Sequence, residues 1–156
     1  MMKTPFPSKN MVLEACAGTV VVPHPILQAA YELASLHEAR LGTAVDTTNE
    51  IDCARAKLMH DIDCWVSAEK PQPLEAAYLH TESVGMVVDR IAQFSVDAHT
   101  ALAYGLPESQ VHHRWQRLAE LAVGYSDLAF EISTGTRALP DLCTPVEGSI
   151  EPGKEQ

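Results

Sequence analysis

The sequence predicts an all-α protein, an antiparallel bundle of about four long helices preceded by a short one. Apolar residues recur at steps of three and four through most of the chain. Glycine and proline stand at the boundaries between these segments. No stretch alternates apolar and polar residues for long enough to predict a sheet. The 156 residues, 46% of them hydrophobic, can form a core and predict a single domain.

The first two helices have clear start and stop residues. Ser8 is placed to cap a short helix that runs to Ala17 and is stopped by Gly18. Pro25 favours the first turn of a second helix, because its missing N–H has no intrahelical acceptor there. Gly42 is placed to end that helix.

The remaining three helices are predicted from capping residues and prolines. Thr47 and Glu50 have the spacing of a capping box and predict the start of the third helix. The fourth is predicted to be the longest, over residues 74–104. The fifth follows Pro107, and its pattern stops after Arg137.

Charge and segment composition limit the class of protein. Eleven Lys and Arg against 21 Asp and Glu give a formal net charge of −10, which argues against a protein that coats nucleic acid or binds membranes electrostatically. We divide the chain into an N-terminal segment (1–24), a helical bundle domain (25–137) and a flexible acidic tail (138–156).

The four cysteines, Cys16, Cys53, Cys64 and Cys143, show no C-x-x-C spacing. We interpret all four as reduced thiols, because a chain of this length needs no disulfides to fold. The N-terminus lacks the apolar run of a signal peptide, and no stretch has the length of a membrane span. We therefore expect a cytoplasmic protein.

The predicted fourth helix carries the most informative polar residues. Glu82 and Asp89 are seven residues apart, which places both on one side of a helix together with Gly85. The small and apolar neighbours on that side indicate a second buried face, on which carboxylates need partners. The candidate partners are His37, Arg40, Arg55 and Arg90.

Two interpretations of this polar stripe stay open. In one, the carboxylates and arginines form a structural network that fixes the register of the helices. In the other, they line a pocket that binds a ligand or a metal. No Glu-x-x-His pair of the di-iron type occurs. A metal site would therefore have to draw ligands from several helices, and the candidates are Glu38, His60, Glu82, Asp89 and His99.

The stretch from Leu79 to Ile91, LHTESVGMVVDRI, resembles the signature of a bacterial family, domain of unknown function 4254. That signature is a Thr/Ser-Glu-Thr/Ser-x-Gly run followed by a hydrophobic residue, Asp-Arg and Leu or Ile. Upstream, the segment 36–40, Arg55 and the segment 62–65 resemble other family motifs, so the resemblance covers roughly residues 25–135. It departs from the family pattern at residues 56–57 and at His60.

The resemblance implies a helical bundle and directs attention to Glu82, Gly85, Asp89 and Arg90, without implying an activity. Our functional hypothesis is a protein that binds a small ligand or a protein partner through the polar stripe, with no cofactor. The alternative is a small enzyme that uses carboxylates and histidines for metal or acid–base chemistry. We expect a homodimer, because a second apolar face of the fifth helix would suit a partner copy. That face comprises Leu121, Leu128 and Phe130.

Overall fold

The computed structural model describes residues 4–141, which form five α-helices and two very short strands. The elements in chain order are α1 (Lys9–Cys16), α2 (Pro25–Leu41), α3 (Val45–Glu69), β1 (Tyr78–Leu79), α4 (Val84–Ala103), α5 (Glu108–Thr134) and β2 (Arg137–Ala138). The all-α prediction is confirmed.

Helix α4 is the centre of the bundle. It packs against all four other helices, and the successive long helices α2 to α5 run antiparallel to one another. Helix α1 packs against α2, α4 and α5. Val12 and Ala15 of α1 are buried in the core. The hydroxyl of Tyr125 donates to the carbonyl oxygen of Pro7 over 2.7 Å, which fastens α5 to the segment before α1.

Most predicted helix boundaries agree with the structure, but the starts of α3 and α4 do not. The Ser8 hydroxyl accepts the N–H of Met11, and Pro25 occupies the first turn of α2. Helix α3 begins at Val45, ahead of the predicted capping box, and its N-cap residue forms no side-chain cap hydrogen bond. The Thr47 hydroxyl donates to a carbonyl oxygen of the preceding turn, so it does not act as the cap.

The predicted start of the fourth helix is wrong, because α4 begins only after Ser83. The backbone N–H groups of Leu74, Tyr78 and His80 donate to carbonyl oxygens of the segment that follows α5, which leaves them unable to form a helix. Strand β1 pairs in parallel with β2 as a result. The Ser83 hydroxyl then caps α4 by accepting a backbone N–H from its first turn.

The predicted acidic tail falls mostly outside the described residues. Its first residue, Ala138, is in β2, and residues 142–156 are not described. No helix in the described range 4–141 combines the length and the apolar character that crossing a membrane requires.

The prediction of four reduced cysteines is wrong at Cys64, which is disulfide-bonded. The spacing along α3 excludes a disulfide between Cys53 and Cys64. It does not exclude a disulfide to a cysteine that is distant in sequence but close in space. Cys16 and Cys53 are free thiols. Burial raises the pKa of Cys16 to about 12, so its thiol is unreactive near neutral pH.

Candidate functional site

A buried ion-pair cluster joins α2, α3 and α4. Nε2 of His37 lies 2.8 Å from Oδ1 of Asp89. The guanidinium of Arg55 binds the same carboxylate through two nitrogens, Nε at 3.1 Å from Oδ1 and Nη2 at 2.6 Å from Oδ2. The side chains of His37 and Asp89 are only 6% and 10% exposed. Three of the predicted site residues therefore meet, one from each helix.

The cluster extends to the surface through Asp52. Arg55 Nη1 donates to Asp52 Oδ1 over 2.9 Å, and Arg40 Nε donates to the same oxygen over 3.2 Å. Asp52 was not predicted, although its position three residues before Arg55 on a helix is the spacing of an ion pair. Arg40, a predicted site residue, thus reaches Asp89 only through two intermediate side chains.

The hydrogen bonds of Asp89 define its chemistry. Burial raises the pKa of Asp89, but the hydrogen bonds from His37 and Arg55 outweigh burial and hold that pKa below its usual range. Asp89 is therefore a carboxylate at neutral pH. Oδ1 accepts two hydrogen bonds and Oδ2 accepts one from Arg55, so the carboxylate is committed to its protein partners.

His37 keeps one nitrogen available. An ionised carboxylate only accepts hydrogen bonds, so Nε2 of His37 carries the proton that it donates to Asp89. Nδ1 has no hydrogen-bond partner in the part of the chain that the structure describes. Since no fully enclosed side-chain nitrogen or oxygen in this range lacks a partner, Nδ1 is not completely enclosed.

The cleft that His37 lines is small, about 80 Å³, and lies between α2 and α4. We refer to it as the His37 cleft. Its lining combines two cationic or ionisable groups, one amide, one carboxylate and two apolar side chains: His37, Arg40, Leu41, Gln93, Val96 and Asp97. This mixture suits one polar part of a small molecule.

Glu82 does not belong to the buried cluster. It precedes α4, so it does not share a helix side with Asp89 as predicted. Its carboxylate pairs with Arg90 over 2.6 Å, and the two side chains are 30% and 47% exposed. An ion pair this exposed contributes at most about 1 kcal/mol. The prediction that Glu82 and Arg90 form a buried polar core is therefore wrong, although they do bind each other.

Gly85 allows α3 and α4 to approach closely, as the sequence indicated. A Cβ at this position would lie 2.3 Å from the carbonyl oxygen of Met59. The N–H of Gly85 donates to Oδ1 of Asp63 over 2.7 Å, so Asp63 of α3 caps the start of α4 from outside. Asp63 was missed as a site residue, because the sequence does not show which residues face a neighbouring helix terminus.

Asp63 is expected to make stability depend on pH. Burial raises its pKa, and this outweighs the hydrogen bonds from Gly85 and Ser83. Well below about pH 3.9, the pKa of an unfolded aspartate, Asp63 is protonated in both the folded and the unfolded state. As the pH rises, the unfolded state loses this proton first, so the free energy of unfolding falls until Asp63 also ionises in the folded state. In urea unfolding, Asp63→Asn should therefore gain stability relative to wild type as the pH rises above about 4. Asp61→Asn, an exposed change on α3, is the control. A constant difference for Asp63→Asn would contradict this expectation.

The five candidate metal ligands do not converge. His60 is exposed and contacts Cys64, and His99 contacts its own helix and the ring of Trp115. Glu38 is exposed on α2. Within residues 4–141, no three His, Cys, Asp or Glu side chains are grouped as a metal site would need.

A larger cleft of about 300 Å³ lies at the opposite end of α4. Asp63 and Ser83 line it, together with Arg137, whose Nε binds Glu131 over 2.8 Å. Asp141, the last described residue, also lines it. The His37 cleft is enclosed by helices α2 and α4 and is the better-defined candidate.

The fold and the cluster define a helical bundle in which three helices are joined by one buried carboxylate. The chain belongs to the family described as "Protein of unknown function (DUF4254)", whose model matches residues 30–140. The matched range includes His37, Arg55, Gly85 and Asp89. No curated protein and no solved structure matches the chain.

Proposed function

We propose that this protein binds a small polar ligand in the His37 cleft. The observation that carries the proposal is the arrangement of His37, whose Nε2 is fixed by Asp89 while Nδ1 has no partner among residues 4–141. A histidine held in one orientation is a preorganised hydrogen-bonding group. Gln93 and Asp97 provide further polar groups beside it. Asp89 and Arg55 act as positioning residues.

Acid–base catalysis at the same cleft is a second candidate function. A histidine whose N–H is bound by a carboxylate, with the other nitrogen open, has the arrangement of a general base. Ligand binding remains the first proposal, because the described residues that line the cleft include no Ser, Thr, Cys or Lys nucleophile. Loss of turnover of a bound compound in His37→Gln, with binding kept, would favour the enzyme.

The ligand proposal predicts that filling the cleft abolishes binding. Val96 lines the cleft, and Val96→Phe should occupy much of its volume while leaving the ion-pair cluster intact. We expect compounds from a screen of small polar metabolites to raise the Tm of wild type. At ten times the Kd the gain is about 1.4 kcal/mol, or several degrees for a chain of this size.

The matched control is Val45→Phe, the same substitution at an exposed position of α3 outside both the cleft and the proposed dimer face. Compounds that stabilise wild type should stabilise Val45→Phe equally and Val96→Phe not at all. Equal stabilisation of all three proteins, or no stabilising compound in the screen, would contradict the proposal.

We also propose that the protein forms a homodimer through the outer face of α5. Leu121 and Leu128, two of the residues that suggested a second apolar face, pack inward against the core. Phe130 is 69% exposed, and Val123, seven residues earlier on the same face, is 48% exposed. A two-fold axis would bury these side chains against their copies.

Light scattering coupled to gel filtration tests the dimer. We expect twice the chain mass of 17.0 kDa for wild type and a shift towards one chain mass for Phe130→Ser. Leu79→Ser, at a residue 70% exposed in β1, is the control and should stay dimeric. A wild-type protein that is monomeric at high concentration would contradict the proposal.

A further inference from the structure

Two arginines of the bundle lack the carboxylate partners that the other four have. Arg40, Arg55, Arg90 and Arg137 all form ion pairs. In the range 4–141, Arg114 and Arg117 of α5 form neither an ion pair nor a side-chain hydrogen bond. The chain has a net charge of −10, so two neighbouring guanidinium groups without carboxylate partners among the described residues form a local region of positive charge.

Both arginines line one cleft between α4 and α5. This cleft has a volume of about 520 Å³ and is open to solvent. Its lining residues are Asp97, Ser109, Gln110, His113, Arg114 and Arg117. The guanidinium of Arg117 lies over the ring of Phe94, with 4.5 Å between its central carbon and the ring centre. This stacking holds the group in place and leaves its in-plane N–H donors uncommitted.

The arginine-lined cleft adjoins the His37 cleft. Asp97 lines both of them, so they lie side by side on α4. Asp97 is therefore the residue at which the two clefts meet. Asp97 itself accepts hydrogen bonds and therefore suits hydroxyl or amine donors of that ligand.

We infer that the cleft between α4 and α5 binds an oxyanion carried by the ligand of the His37 cleft. The inference rests on the proposed function and names the ligand class: a small molecule with hydrogen-bond donors and a phosphate or carboxylate group. Guanidinium groups bind such oxyanions with paired, charge-assisted hydrogen bonds. His113 is within the same cleft and supplies a further donor.

NMR titration of the full chain tests this inference, with inorganic phosphate and acetate as probes of the two oxyanion types at constant ionic strength. We expect saturable shifts of backbone amide signals in residues 93–97 and 109–117 with at least one probe. The stronger probe identifies the ligand's anionic group. The double variant Arg114→Gln/Arg117→Gln should raise the apparent Kd at least about tenfold. Arg90→Gln, which removes an exposed arginine of α4 outside the cleft, should leave the Kd unchanged.

The outcomes separate this inference from the proposed function. No saturable binding of either probe, or an unchanged Kd in the double variant, would overturn the inference. A second result would also overturn the inference while the proposed function stands. In that result, screening compounds bind wild type and the double arginine variant with the same affinity but do not bind Val96→Phe. Oxyanion binding that is lost in the double variant but kept in Val96→Phe supports the arginine site even if the screen finds no ligand.

Discussion

Replacing Asp89 with asparagine is expected to lower the free energy of unfolding by about 3–5 kcal/mol. The substitution removes the charge that balances Arg55, whose side chain is only 19% exposed, and places an amide donor against its N–H groups. Asparagine has one acceptor oxygen instead of two, so it cannot accept from both His37 and Arg55 Nη2 as the carboxylate does. Urea unfolding at neutral pH measures the loss, and binding of any screening compound should fall together with stability.

The control for this change is Glu82→Gln, which breaks the exposed ion pair at the start of the same helix. We expect a loss of less than about 1 kcal/mol there. Asp89→Leu combined with Arg55→Met should recover much of the stability lost in Asp89→Asn, because it leaves no unpaired buried charge. Equal effects of Asp89→Asn and Glu82→Gln would show that burial of the Asp89 cluster contributes nothing.

Gly85→Ala is expected to destabilise the protein by at least about 2 kcal/mol. The added methyl would lie 2.3 Å from the backbone oxygen of Met59 and 2.9 Å from Oδ1 of Asp63. Because the nearest atom is main chain, α3 must move away from α4 as a whole. That movement would also lengthen the hydrogen bond from the Gly85 N–H to Asp63.

Gly124→Ala is the matched control, since Gly124 is also inside a helix and a Cβ there would meet nothing within 4 Å. Alanine is the better helix former, so this change should stabilise the protein by about 0.5–1 kcal/mol. Opposite signs for the two substitutions, measured by thermal or urea unfolding, are the expected result. A neutral Gly85→Ala would mean that the helices are not in close contact at this position.

The sequence was sufficient to predict the helices wherever local signals decide the structure. Ser8 and Pro25 set the first two helix starts through interactions within one turn. The segment 74–83 was predicted wrongly, because its backbone donors bond to residues about sixty positions away. The spacing of apolar residues along a segment contains no information on backbone hydrogen bonds to a distant part of the chain.

The candidate site was predictable in part for the same reason. Asp89 and its partners His37 and Arg55 followed from the rule that carboxylates on a buried helix face need cations. Glu82 was assigned to the same cluster only because the fourth helix was predicted to begin before it. Asp63 caps a helix terminus across an interface between two helices, and only the packing of α3 on α4 shows it. The role of Arg114 and Arg117 likewise depends on which carboxylates lie near them in space.

The protonation of His37 tests the central claim most directly. Long-range ¹H–¹⁵N correlation spectra of the imidazole report which ring nitrogen carries the proton in the neutral form. We predict a proton on Nε2, a lone pair on Nδ1 and a loss of this preference in the Asp89→Leu/Arg55→Met double variant, which has no acceptor at position 89. Nδ1 should be the nitrogen whose signal changes when a ligand binds. A neutral His37 with its proton on Nδ1 in the wild-type protein would contradict the account.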